Sequence, residues 1–420
     1  MIRNNVIRLL KILPRPIRRR LKAIYSWFQE CQLLARLSYS QITEWVMFEL
    51  TSRCNLRCVY CRKSSDPKES ARAFDFPEEK VLPAINLLRE RQLRLIQMSG
   101  IGETTARKGW HLICRQSLGN GIEHTIITNL ARPISEEEAD TLARFASVQV
   151  SVDTADPVLF AQIRRGAKLD TVLANIDHIK ASSRKLGISG PELRFDMVIT
   201  DKTVLGLVET VRLGLRHGVT DFYFAGLFKN KDVTNGINVY PVKSLPRPQL
   251  EEALHCLERS IDLVQKAGCK LQVHEGLIQS VHCELAKENG SSKTTESMSN
   301  IPTWGAPPLE PGYTRDCLDP WRLVFLYAHG DVCPCCAYDK SIGDHTKTPL
   351  EKILNGSPAR KMRRKLLTGK LHGMMCAQCS MRSPIRIEDL RKKAEIYCAK
   401  EAATAIPKKA EPRENIRRAA

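Results

Sequence analysis

Three cysteines stand close together in the segment Thr51-Ser-Arg-Cys54-Asn-Leu-Arg-Cys58-Val-Tyr-Cys61. The segment follows an apolar run, 45–51, that predicts a short β-strand. Three thiolates on one loop can bind three irons of a [4Fe–4S] cubane and leave the fourth iron without a protein ligand. Catalytic metals use such an open position to bind substrates. Half of a structural zinc site is the alternative, although zinc prefers paired CxxC motifs.

A second group of cysteines lies near the C-terminus. Four thiolates from this group can hold either an iron–sulfur cluster or zinc, because the two share their ligand chemistry. Metal-ligand spacing, rather than a disulfide framework, predicts a reducing, cytoplasmic compartment. We interpret the scattered Cys31, Cys114, Cys256, Cys269, Cys283 and Cys398 as ordinary thiols. The second group comprises Cys317, Cys333, Cys335, Cys336, Cys376 and Cys379.

The elements that must position these residues alternate along the chain. Repeated βα units predict a parallel sheet with helices outside it, and in such folds the chemistry lies at the C-terminal ends of the strands. Ser135 followed by Glu138 indicates a capping box at one helix start. Strands are predicted over 95–99, 124–128, 148–152, 193–200, 221–225 and 270–274, and helices over 109–118, 135–146, 171–185, 204–217 and 247–267.

The cysteine loop, with Asn55 and Tyr60 inside it, resembles that of the radical S-adenosylmethionine (SAM) superfamily. The resemblance implies an α/β fold: a partial (β/α)6 TIM-like barrel over about 45–230, with a small C-terminal cysteine-rich domain. It also implies that the loop holds a [4Fe–4S] cluster that binds SAM.

The segment Met98-Ser-Gly100-Ile-Gly102-Glu103 resembles the GGEP-type motif of that superfamily. The resemblance implies that its backbone and the Glu103 side chain hold the methionine amine of SAM. Ile101 and Thr104 replace the first glycine and the proline of the motif, which puts the shape of the loop in question.

Polar residues at three later positions also resemble the superfamily pattern. Asn129 ends one predicted strand, and Ser151-Val-Asp153 ends the next. The resemblance implies that Ser151 and Asp153 face SAM and that Arg164 pairs with its carboxylate, a role that suits a guanidinium fork. For each residue, a strand cap or a surface charge is the alternative.

The C-terminal cysteines resemble the SPASM/twitch extension of radical SAM enzymes. The Gly-x4-Cys element of that extension selects Cys335, although Cys333 or Cys336 could replace it. The resemblance implies one auxiliary [4Fe–4S] cluster on Cys317, Cys335, Cys376 and Cys379. Between Cys379 and Cys398 the sequence has no further cysteine, so we expect a single auxiliary cluster of the twitch type, with zinc as the alternative.

The family resemblance implies reductive cleavage of SAM to a 5′-deoxyadenosyl radical, with flavodoxin or ferredoxin as reductant. A fully ligated auxiliary cluster would accept an electron, so our first hypothesis is oxidation of a sugar-like or cyclitol alcohol, as in the aminocyclitol dehydrogenase type. The alternatives are a thioether or carbon–carbon crosslink in a ribosomally made peptide, or redox-neutral epimerisation. A glycan substrate is compatible with the first hypothesis. His274, Glu275 and Tyr223 are candidates to line the pocket.

The net charge of +19 belongs mostly to the two ends of the chain. Residues 1–44 predict two basic amphipathic helices separated at Pro14 and Pro16, which either contact a membrane peripherally or pack on the body. Aromatic residues make up 6% and no RNA-binding motif occurs, so we do not expect nucleic acid as a partner. We predict a leader over 1–44, the barrel over 45–230, barrel completion and linker over 231–310, the auxiliary-cluster domain over 311–385, and a polar helix and tail over 386–420.

Overall fold

The computed structural model describes residues 14–65, 71, 73–118, 121–227, 237–287, 308–335, 340–379 and 381–403. Its strands are β1 Trp45–Phe48, β2 Leu95–Met98, β3 Glu123–Thr128, β4 Ser147–Ser151, β5 Glu192–Ile199, β6 Asp221–Gly226, β7 Lys270–Val273, β8 Tyr313–Arg315, β9 Leu323–Leu326, β10 Asp331–Cys333, β11 Gly343–Asp344 and β12 Pro384–Arg386. Its helices are α1 Arg15–Leu37, α2 Arg62–Ser65, α3 Glu78–Glu90, α4 Trp110–Arg115, α5 Glu136–Leu142, α6 Pro157–Ile163, α7 Leu169–Leu186, α8 Leu207–Arg216, α9 Arg247–Lys266, α10 Glu275–Leu285, α11 Asp319–Arg322, α12 Leu350–Leu354, α13 Ser357–Thr368 and α14 Ile387–Ala403.

Strands β1 to β7 pair in chain order, and every pair is parallel. The strict alternation of burial along β5 shows how one face packs under the helices while the other lines the concave side of the sheet. This arrangement confirms the predicted α/β fold with a parallel central sheet. In the described part of the chain, the edge strands β7 and β11 do not pair with each other, so the sheet is open.

The C-terminal segment contributes to two hydrophobic cores. Strand β9 pairs in parallel with β1, and β10 and β11 add antiparallel strands, so this part extends the main sheet. Val324 and Leu326 accordingly belong to the main core. A second core joins Trp321, Leu366 and Leu390 to Leu37 of α1. The C-terminal helices and the N-terminal helix are therefore packed together.

Helix α1 begins at Arg15, immediately after Pro14, and has Pro16 in its first turn, where proline is tolerated. The helix predicted before Pro14 lies outside the described residues. Among the described helices, none combines the length and apolar character needed to span a membrane.

In the described part of 231–310, the structure adds an α-helix to the helix and the strand that the sequence predicts there. Residues 275–285 form α10, because Leu277 and Val281 are one helical turn apart and both are buried. The His274 ring nitrogen accepts a hydrogen bond from the Gly276 N–H and caps the helix start. The capping box of Ser135 and Glu138 on α5, by contrast, is confirmed.

Candidate functional site

The cysteine loop follows β1 and is held against the turn that ends α6. The Arg57 N–H donates to the Arg165 carbonyl at 3.0 Å, and the Val59 N–H donates to the Ile163 carbonyl at 2.9 Å. These backbone bonds fix the segment between the first and third cysteines. These backbone hydrogen bonds therefore set the path of the loop beside α6.

The three thiols of the loop lie in one partly buried environment. Cys58 is buried, whereas Cys54 and Cys61 are half-buried. Burial raises the pKa of Cys54 to about 12, with smaller upward contributions from Glu103 and from the other two cysteines, and the Leu56 N–H bond to its Sγ at 3.4 Å opposes the rise. Burial also raises the pKa of Cys58. The protein alone thus keeps both thiols neutral, and metal binding must release their protons.

This donor set fits an iron–sulfur cluster with three protein ligands. Thiolate is the ligand that such clusters use, and three sulfurs leave one iron of a cubane open. Nowhere in the described residues do three His, Cys, Asp or Glu side chains converge as they would around a single metal ion. Cys54, Cys58 and Cys61 are therefore the residues that would hold the cluster.

The turn after β2 packs directly on the cysteine loop. The Glu103 N–H donates to the Arg53 carbonyl at 2.7 Å. A Cβ atom at Gly102 would overlap the Thr51 carbonyl oxygen and lie 2.6 Å from that of Arg53, a separation that real Cβ atoms do not adopt. Glycine is therefore required here because two stretches of backbone approach closely, although Ile101 and Thr104 depart from the superfamily motif.

Glu49, which the sequence did not single out, holds this turn from below. The side chain is 1% exposed, and burial raises its pKa. One carboxylate oxygen accepts from the Ile101 N–H at 2.5 Å and from the Gly102 N–H at 3.3 Å, while the other accepts from the Ala328 N–H at 3.0 Å. A Cβ atom at Gly100 would overlap this side chain. The sequence feature that could have identified Glu49 is its position as an acidic residue directly after the apolar strand β1.

Glu103 and Asn129 join the ends of β2 and β3 beside the cysteines. Glu103 Oε1 accepts from the Thr105 N–H and from the hydroxyls of Thr105 and Thr128, at 2.8 to 3.0 Å. Its Oε2 accepts from the Asn129 N–H at 2.7 Å. The Asn129 side-chain amide donates to Asn55 at 3.0 Å and lies 3.9 Å from Cys54 Sγ. These two residues are therefore part of the wall of the cysteine loop.

Asp153 and Arg164 form a buried ion pair. Arg164 Nε donates to Asp153 Oδ2 at 2.8 Å and its Nη2 donates to Oδ1 at 3.0 Å. The Tyr60 hydroxyl donates to Oδ2 at 2.6 Å, and the guanidinium lies 5.7 Å from the Tyr60 ring centre. The family resemblance assigns Arg164 to the SAM carboxylate. In this structure, two of its nitrogens are committed to Asp153, because that carboxylate is fully buried and requires a counter-charge.

A polar patch lines the concave face of β4, β5 and β6, and the sequence did not single it out as a group. Ser151 is half-buried and in register with Asp196. Arg194 donates twice to Asp196, at 2.5 and 3.1 Å, and once to Gln149 at 2.6 Å. Its guanidinium also lies 5.5 Å from the ring centre of Tyr223, a predicted pocket residue. Burial raises the pKa of both Asp196 and Tyr223.

Four C-terminal cysteines line one pocket that is partly open to solvent. They are Cys317, Cys335, Cys376 and Cys379, brought together from the segments around β8, β10 and the turn at 375–378. Burial raises the pKa of Cys317. Four thiols that line one pocket suit a fully ligated cluster. Cys333 instead lies in β10 with its Sγ 3.9 Å from the Lys340 carbonyl, and Cys336 lies outside the described residues.

Two arginines support the wall of this cavity. Arg315 is fully buried and its Nη2 donates to the Ala377 carbonyl at 2.7 Å, which holds the backbone between the last two cysteines. Arg382 donates to Asp319 at 2.6 Å across the same wall. Cationic side chains beside four thiolates offset part of the negative charge that a bound cluster would bring.

Comparisons with known proteins match these two sites separately. The family model of the radical SAM superfamily matches residues 48–190, and that of the SPASM iron–sulfur cluster-binding domain matches residues 317–380. Among curated proteins, GTP 3′,8-cyclase of Caulobacter vibrioides is 31% identical over 172 residues, 38% of this chain and 46% of the relative. GTP 3′,8-cyclase of Haemophilus influenzae is 29% identical over 136 residues, 32% of this chain and 40% of the relative. The chain thus spans less than half the length of these relatives.

Solved structures share the fold at low identity. Streptococcus suis SuiB bound to S-adenosylmethionine has a TM-score of 0.53 and 15% identity, covering 77% of this chain and 68% of SuiB. Histidine-tagged anSMEcpe with bound AdoMet has a TM-score of 0.50 and 16% identity, covering 87% and 97%. With thiol sites matched by both family models, the cofactors are SAM and [4Fe–4S] clusters. The chain thus carries a radical SAM domain over residues 48–190 and a SPASM iron–sulfur cluster-binding domain over residues 317–380.

Proposed function

We propose that this enzyme oxidises an alcohol of a sugar-like or cyclitol compound, with one auxiliary [4Fe–4S] cluster as electron acceptor. The observation that carries the proposal is the complete set of four cysteines around the C-terminal cavity. A cluster with four thiolate ligands has no open iron for substrate, so electron transfer is its natural role.

The residues of the chain divide the work between the two sites. When bound, SAM and the first cluster supply a 5′-deoxyadenosyl radical that abstracts hydrogen, and the auxiliary cluster accepts an electron. Cys54, Cys58 and Cys61 hold the first cluster in this proposal. Gly100, Gly102, Glu103, Asn129 and Ser151 bind SAM around it, with Asp153 and Arg164 supporting the loop from behind.

The concave face supports a substrate that carries hydroxyl groups. Gln149, Ser151, Asp196 and Tyr223 offer donors and acceptors there. Arg194 orients Asp196 and Gln149 through its hydrogen bonds and lies over the Tyr223 ring. Hydroxyl-bearing substrates are recognised by such convergent polar groups. A polar wall also holds a substrate in line for hydrogen abstraction.

The auxiliary site borders the same face. Cys335 packs against an apolar cluster that contains Met47 and Phe325, which are in register on β1 and β9. The side of the concave face nearest the auxiliary cysteines is thus apolar, while the side along β4 to β6 is polar. This placement supports a substrate held between the two clusters.

Modification of a ribosomally made peptide, by a thioether or carbon–carbon crosslink, is the second candidate. SuiB, whose fold this chain shares, has a structure bound to its precursor peptide SuiA. The open sheet leaves room for an extended peptide. Redox-neutral epimerisation is the third candidate reaction, and it requires no electron acceptor.

The proposal includes partners and location. A reductant such as flavodoxin or ferredoxin donates the electron that starts the reaction. The abundance of thiols at metal-ligand spacing favours a reducing cytoplasm. The same proposal includes a peripheral membrane contact through residues 1–44. It does not include nucleic acid as a partner.

Iron and sulfide content after anaerobic reconstitution tests the central claim. We expect about eight irons in the native chain, and about four when Cys54, Cys58 and Cys61 are all changed to alanine. Changing Cys317 and Cys376 to alanine should also leave about four. Cys256→Ala serves as the matched control, because Cys256 is a buried thiol near neither site, and should keep all eight.

Product analysis then separates the candidate reactions. With sugar and cyclitol alcohols, we expect one ketone formed for each 5′-deoxyadenosine. About four irons in the native chain, falling to none in the triple variant and accompanied by zinc, would remove the electron acceptor. The oxidation proposal would then fail, and epimerisation would lead. A crosslinked peptide with no turnover of any alcohol would establish the second candidate instead.

A further inference from the structure

Helix α1 presents an apolar stripe to the outside of the molecule. Ile24 is 61% exposed, Trp27 66% and Phe28 51%. Ile17 and Leu21, also exposed, continue the stripe at helical spacing toward the N-terminal end of the helix. Contiguous exposed apolar surface of this kind marks an interaction site.

The opposite face of the same helix is already occupied. Leu33, Leu34 and Leu37 pack into the C-terminal core, roughly half a turn around the helix from the stripe. Arg391 of α14 donates to Glu30 at 2.5 Å and fixes this docking. The orientation of α1 is thus set by one face, and the stripe is directed away from the body.

The charge on the exposed N-terminal part of α1 is entirely positive. Arg19, Arg20 and Lys22 are exposed, and from Pro14 to Gln29 the sequence contains no acidic residue. Helix α13, which packs beside the base of α1, adds exposed Lys361 and Arg364. A second copy of this chain would bring like charges together along such a stripe, whereas an anionic surface would be attracted.

We infer that α1 binds the surface of an anionic membrane, with its apolar stripe inserted at the level of the lipid headgroups. The inference deepens the peripheral contact proposed above. Trp27 forms one edge of the stripe and Tyr25 lies beside its other edge, which suits amphipathic rings at a membrane interface. Basic residues on the polar face of such a helix are attracted to acidic headgroups. The membrane would then hold the SPASM side of the enzyme, where α1 is anchored.

Vesicle flotation of the full chain tests the inference. We expect flotation with vesicles of phosphatidylcholine and phosphatidylglycerol, and little with phosphatidylcholine alone. Each basic residue near an anionic surface contributes about fivefold to partitioning, so Arg19→Gln, Arg20→Gln and Lys22→Gln combined should weaken binding at least tenfold. Raising the salt to 1 M, where the Debye length is about 3 Å, should have a similar effect.

A second variant separates insertion from charge attraction. Ile24→Ser, Trp27→Ser and Phe28→Ser combined should reduce flotation at least tenfold, because burial of the stripe is lost. The matched control is Leu112→Ser with Val158→Ser, which removes exposed apolar side chains elsewhere and should float as the native chain does.

Three results would overturn the inference. These are no flotation of the native chain, equal flotation of the stripe variant, or a native dimer that the stripe variant converts to monomer, since the last would identify a second copy as the occupant. Flotation is scored by the amount of protein and not by turnover, and iron content is measured on the same samples. Failure here is therefore distinguishable from failure of the proposed reaction.

Discussion

The buried pair of Asp153 and Arg164 makes the sharpest prediction. Changing Arg164 to methionine leaves a fully buried carboxylate with two neutral donors, the Tyr60 hydroxyl at 2.6 Å and the Val198 N–H at 2.9 Å. Removing one partner of a buried ion pair costs about 3–5 kcal/mol. Because two donors remain, we expect the lower end of that range, about 3 kcal/mol of unfolding free energy.

The double variant shows whether the cost comes from the stranded charge. Asp153→Asn combined with Arg164→Met removes both charges, so it should be more stable than the sum of the single changes by about 2 kcal/mol. Arg212→Met is the matched control, because Arg212 pairs with Glu209 on an exposed helix surface. That change should cost no more than about 0.5 kcal/mol.

Urea unfolding followed by tryptophan fluorescence measures these free energies, and anaerobic equilibrium dialysis of the cluster-loaded protein measures SAM affinity. One result would refute the reasoning. If Arg164→Met changed the unfolding free energy by less than about 1 kcal/mol while weakening SAM binding at least tenfold, the guanidinium would serve SAM and not Asp153. Arg164 would then pair with the SAM carboxylate, as the family resemblance implies.

Three further predictions concern other contacts. Gly102→Ala should prevent the turn after β2 from packing on the cysteine loop and should therefore reduce SAM binding. Gly206→Ala, where the nearest atom to an added Cβ is 4.0 Å away, should leave SAM binding unchanged. Equilibrium dialysis of SAM measures both variants. Cys335→Ala should remove about four irons by iron assay and Cys333→Ala none, and the reverse result would make Cys333 the ligand. Burial lowers the pKa of His124, so stability present above pH about 6.5 should be lost as the pH falls through the folded pKa. His124→Gln should flatten that part of the stability–pH curve, and an unchanged slope would contradict the assignment.

The sequence by itself predicted two groups of metal-binding thiols and the class of the fold. The spacing of three cysteines within eight positions is a local feature, so the sequence shows it directly. Alternating strands and helices likewise indicate a parallel sheet because their periodicity is local. The confirmed capping box at Ser135 depends on residues three apart.

Only the tertiary structure decided which distant groups meet. Glu49 contacts Ala328, 279 positions away. Arg164, at the end of α6, pairs with Asp153, which lies just after β4. The choice of Cys335 at the cavity over Cys333 depends on which residue lies inside strand β10. The stripe of α1 is exposed because the opposite face of the helix packs against the C-terminal core. Each of these outcomes depends on burial and long-range packing, which no local pattern in the sequence records.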